Sequence, residues 1–100
     1  MLHDETKAIR DSVCHDVRKR IIIYLAEAAE IEALAIEGTA GLARAYRNFA
    51  RELERHEHAL MNTQTVDAVL SALGALKGEM REMCDWLRRL EPPPRLGAGP

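Results

Sequence analysis

The chain has 100 residues, 47% apolar and 30% charged, with a formal net charge of −2, the composition of one small folded domain. That balance excludes a global positive field that would gather nucleic acid or anionic lipid, and the longest strictly apolar run, Ile21 to Ala26, is far too short to span a membrane. Aromatics are only 4% and no Pro precedes position 92, which favours helix over sheet.

Asp4 is a good N-cap, and Glu5 behind it sets a carboxylate beside the positive end of a helix dipole. The first five residues, Met1-Leu2-His3-Asp4-Glu5, read as neither a signal nor a transit peptide. A cytosolic protein is expected. From Ile9 an apolar stripe advances in steps of three and four through Val13, Val17, Ile21, Tyr24, Ala28, Ile31 and Ala35, the packing face of a bundle helix. The pattern predicts a first helix over residues 4–37. Within it, Ile21, Ile22, Ile23, Tyr24 and Leu25 are apolar around most of the circumference, so this belt needs cover from more than one side.

At Glu37-Gly38-Thr39-Ala40-Gly41 two readings compete. Gly38 as C′ and Thr39 as the next N-cap describe a short turn between antiparallel helices. The stripe nevertheless continues in register through Gly38, Leu42, Ala45, Phe49, Leu53, His56 and Leu60, as one continuous helix would require. The belt at Ile21 to Leu25 needs two neighbours, which favours the turn. A second helix is predicted over 41–61, followed by a loop at Asn62-Thr63-Gln64-Thr65 and a third helix over 65–91, stopped by Pro92-Pro93-Pro94. Residues 92–100 form a Pro- and Gly-rich tail. The expected fold is all-α: a single domain over 1–91, built as an antiparallel three-helix bundle, or as a long helix in a swapped antiparallel dimer.

Charge points to the neighbours. Glu27, Glu30, Glu32 and Glu37 fill a stretch without Lys or Arg, and Arg44, Arg47, Arg51 and Arg55 follow. Folding back near Thr39 sets Glu32 near Arg47 and Glu27 near Arg51, and counting back from the second loop sets Trp86 opposite Gly38 and Leu42. Gly74 and Gly78 suggest a close helix approach. Exposed pairs of this kind select register and contribute only about 0.3–0.5 kcal/mol each.

No constellation specifies a reaction. Glu54, His56, Glu57 and His58 are the most metal-like group, but they lack the Glu-x-x-His pairing of di-iron bundles. Cys14 and His15 are adjacent and so point about 100° apart on a helix, which does not suit a nucleophile and its base. Cys14 and Cys84 read as two reduced, packed thiols. The favoured expectation is a non-catalytic helical protein–protein interaction subunit without cofactor, self-associating or acting as an adaptor, chaperone or inhibitor within a larger complex, with Ile21, Ile22, Ile23, Tyr24, Leu25, Arg44, Arg47, Arg51 and Trp86 meeting the partner. The alternative is a ferritin-like metal–carboxylate bundle holding iron or another divalent metal between subunits through Glu27, Glu30, Glu54, Glu57 and His58. A weaker one is a nucleic-acid binder using the Arg44–Arg55 stripe.

Overall fold

The chain bends. In the computed structural model, which describes residues 2–90, α1 (Asp4–Leu34), α2 (Ala40–Met61) and α3 (Val66–Leu90) form an all-α bundle. α1 and α2 pack closely as an antiparallel hairpin within one chain, so the straight continuous helix is not adopted. Glu91 and the tail 92–100 lie outside the described residues.

The link starts earlier and is longer than predicted, spanning residues 35–39 instead of 38–40. α1 stops at Leu34 instead of Glu37, and the left-handed residue that ends it is Ala35 (φ 49°, ψ 38°). Gly38 is therefore not the C′ residue. It takes its own positive φ of 88° within the link, a conformation glycine adopts without the Cβ penalty. Thr39 holds the N-cap position of α2, but its hydroxyl donates to the Ile36 carbonyl at 2.6 Å instead of accepting from the helix. The amides of Leu42 and Ala43 reach the Thr39 carbonyl at 3.1 and 3.2 Å, which puts Gly41 inside the first turn. Past Ala28 the stripe has little to bury against: Ile31 is half-buried and Ala35 exposed, and Leu34 and Ile36 beside them are exposed too.

The two left-handed residues give opposite expectations. Replacing Ala35 by Gly removes a Cβ from a conformation that disfavours it and stabilises the fold by about 1 kcal/mol, whereas Gly38→Ala costs about as much. A Cβ at Gly38 would meet nothing within 4 Å, so that cost is purely backbone. Thermal melts of the two single variants should move in opposite directions; a shift of the same sign would show that the link reorganises.

The other boundaries follow the sequence closely. His3 occupies the N-cap position and Asp4 opens α1, without a side-chain cap bond. The Thr65 hydroxyl accepts from the Ala68 amide at 3.1 Å, and the Thr63 hydroxyl donates to the Leu60 carbonyl at 2.6 Å, so both ends of the second loop are tied by threonines.

The core is one cluster: Cys14, Val17, Ile21 and Tyr24 from α1; Ala50, Leu53 and Leu60 from α2; Val69, Leu76 and Met83 from α3. The α3 members recur every seven residues, as a bundle seam should. Arg47 on Glu32 and Arg18 on Glu57 set the α1–α2 register. His56 facing Glu79 at 3.7 Å and Phe49 meeting Trp86 at 5.4 Å between ring centroids set the α2–α3 register.

This second register overturns one expectation. Trp86 lies at the level of Phe49, not opposite Gly38 and Leu42, because α3 is displaced by about two turns toward the start of α1. Phe49 offers the indole an aromatic edge where the hairpin tip offers none. Gly74 and Gly78 do not mark a close approach either, since an added Cβ at each would meet nothing within 4 Å. The displacement leaves the hairpin tip projecting beyond α3. The molecule is accordingly elongated, 58 Å long and 16 Å thick with a radius of gyration of 16.9 Å, against about 13 Å for a compact domain of this length.

Candidate functional site

The belt at Ile21 to Leu25 divides sharply. Ile21 and Tyr24 are buried in the core, so they hold the bundle together and have no surface to offer a partner. Ile22 and Ile23 are 59% and 53% exposed, and Leu25 also stays in solvent. A belt apolar all round has been covered on one side only. Leu34 and Ile36 extend the exposed apolar surface to the tip, and α1 as a whole shows almost no contrast between its two faces. Isolated exposed Leu or Ile needs no explanation; five gathered between Ile22 and Ile36 do.

Tyr24 anchors the other side. Its ring sits 5.5 Å from Tyr46 and 6.0 Å from Phe49, and Phe49 in turn meets Trp86 edge-on at 87°. The Arg20 guanidinium lies 5.9 Å over the Tyr24 ring, a cation–π contact. Trp86 is thus half-buried against Phe49 and ties α3 to α2 within the chain. This aromatic chain was missed from sequence, although Tyr24 and Phe49 both lie on the stripe.

Part of the charge is used within the chain. Arg47 donates through Nε to Glu32 at 3.1 Å, as the folded-back register predicts, and this hydrogen bond holds the Glu32 carboxyl below the usual carboxylate range. Arg55 does the same for Glu52 one turn away. Arg44 and Arg51 are exposed, and among the described residues neither closes an ion pair, so the expected Glu27–Arg51 pairing is not made. Sequence reasoning also missed Arg18, which bridges to Glu57 and reaches Glu54 at 3.5 Å. Arg10 likewise donates to the Thr63 carbonyl at 3.3 Å and ties α1 to the second loop.

Of the metal-like residues, Glu54 and Glu57 are engaged by Arg18, and His58 is exposed. Arg18 marks their level on α1, and Glu27 and Glu30 lie further along that helix by about 14 and 18 Å at 1.5 Å per residue. Among the described residues no three His, Cys, Asp or Glu side chains converge as a metal would require.

The two thiols differ, contrary to their equal reading from sequence. Cys14 is buried, and that burial, reinforced by the nearby Glu57 carboxylate, pushes its thiol above the ordinary range; Cys84 is exposed. Because the thiolate is the reactive form, an aromatic disulfide reagent near pH 8 should modify one thiol quickly and the second only as the bundle opens. Two equally fast reactions would contradict the buried site. The sign for stability follows: a raised pKa in the folded state gives a contribution that is complete below the unfolded thiol pKa and is lost as pH rises through the folded one.

Two open grooves flank α3. One, of about 540 Å³, lies between α1 and α3 and is walled by Val13, Val17, Leu73, Leu76 and Met80, with Arg20 at its mouth. The other, of about 470 Å³, lies between α2 and α3 over Phe49, Met83 and Trp86, with Glu52, Glu79 and Glu82 along its rim. Neither contains a nucleophile paired with a base. No helix among the described residues is long and apolar enough to cross a membrane. Compared with known protein families, curated proteins and solved structures, the chain finds no match.

Proposed function

We propose that the chain is a non-catalytic helical interaction subunit, which self-associates or docks through the hairpin formed by α1 and α2. One observation carries this reading. Ile22, Ile23 and Leu25 along α1, and Leu34 and Ile36 at the hairpin tip, all stand in solvent, a concentration of large apolar side chains that favours a partner surface. Its polar groups support the same reading, since Arg18, Arg47 and Arg55 are satisfied within the chain and no reactive grouping is set beside them. The unpaired thiols Cys14 and Cys84 fit a reducing compartment such as the cytosol.

The test combines solution mass with an apolar fluorescent dye. The folded protein should either sediment above the mass of one chain or bind the dye with strong enhancement. A stable monomer that leaves the dye unbound would overturn the reading.

A further inference from the structure

We infer that the back of α1 is a two-fold interface with a second copy of this chain, the two α1 helices lying antiparallel and crossing near Ile22 and Ala26. The inference rests on the interaction reading above and names its partner.

A helix advances 100° per residue. The buried residues Val17, Ile21, Tyr24 and Ala28 therefore define one side of α1, and Lys19, Ile22, Ile23, Ala26, Glu30 and Ala33 lie on the opposite side. All six of these are exposed. This side faces away from both α2 and α3, so nothing in the monomer obstructs it. Its apolar centre, Ile22, Ile23 and Ala26, is bracketed by Lys19 on one flank and Glu30 on the other.

That bracketing is self-complementary. In an antiparallel pair centred between Ile22 and Ala26, Ile22 of one copy meets Ala26 of the other, and Lys19 comes beside Glu30, twice by symmetry. A parallel pair would set Lys19 against Lys19 and Glu30 against Glu30. On the flank toward α2, Arg18 is used by Glu57 and Glu32 by Arg47, whereas among the described residues neither Lys19 nor Glu30 closes an ion pair. Ala26, Ala29 and Ala33 allow the helices to approach closely beside the isoleucines. The seam from His15 to Ala33 is about 27 Å long. With the second copy in place, the belt at Ile21 to Leu25 is covered from two sides, as its apolar circumference demands.

Sedimentation equilibrium on the full chain, with circular dichroism to confirm that each variant stays helical, provides the test. Wild type should sediment at twice the chain mass. Lys19→Glu and Glu30→Lys should each weaken the dimer about tenfold, because each sets two repulsive contacts in place of two attractive ones. The double variant should restore it, and Ile22→Glu should give helical monomers. A dimer indifferent to these charges, or one that the double variant fails to rescue, overturns the inference and leaves the interaction reading intact. So does a monomer that binds the apolar dye. A monomer that binds no dye removes both.

Discussion

Leu53→Ala should lower the stability of the protein by about 2–5 kcal/mol, enough to remove a large share of the total for a single domain. Leu53 is fully buried at the middle of α2, and α2 is the helix packed against both of the others. Its side chain belongs to the cluster that holds Val17 and Ile21 on one side and Leu76 and Met83 on the other. Truncation therefore opens a cavity where all three helices meet, and the thin neighbouring layer can collapse into it only by drawing α1 and α3 together. At about 4–8 °C per kcal/mol for a domain of this size, the helical signal should melt at least about 8 °C lower than in wild type. Arg51→Ala, two residues away on the exposed side of α2, is the control and should stay within about 0.5 kcal/mol of wild type. If Leu53→Ala melted with that control, α2 would not be the element on which the other two helices depend.

The same contrast between Leu53 and its exposed neighbours explains what was legible in the sequence. The stripe from Val13 to Leu60 named most of the α1 and α2 core, because a residue that recurs every three or four positions has only one side of a helix to occupy. Glu32 and Arg47 were paired correctly because antiparallel folding about a short link leaves little freedom in register. The turn itself was only half legible. A stripe that keeps its phase through Gly38 looks like an unbroken helix, yet the left-handed Ala35 and Gly38 reverse the chain while returning the stripe to the same side. No residue-type signal announces an alanine in that conformation.

The register of α3 was not legible, and for a different reason. Its position is set by two long-range contacts, His56 with Glu79 and Phe49 with Trp86, whereas counting from the loop assumes that a helix begins packing at its first residue. The candidate surface was mixed for a third reason. Composition marks Ile21 to Leu25 as surplus apolar surface, but the helix period alone decides that Ile21 and Tyr24 face inward and Ile22 and Ile23 outward.

Trp86→Ala tests that displaced register directly and should be the second most damaging change. The indole meets Phe49 edge-on at 5.4 Å, and Phe49 lies 6.0 Å from Tyr24, so the substitution breaks the last link of an aromatic chain that crosses all three helices. Removing a Trp costs about 3 kcal/mol, and an edge-to-face pair contributes about 0.5–1.5 kcal/mol beyond its area. Because Trp86 is half-buried, the lower end applies. Because α3 is held by fewer close contacts than the α1–α2 hairpin, the loss should appear first as local opening. Amide hydrogen exchange should accelerate from Met83 to Leu90 and around Tyr46 to Ala50, while the amides of Leu42 and Ala43, bonded to the Thr39 carbonyl, keep their wild-type rates. Faster exchange at Leu42 and Ala43, with Tyr46 to Ala50 unchanged, would place the indole at the hairpin tip and restore the register counted from the loop. Trp86→Phe, which keeps an aromatic edge, should recover most of the protection.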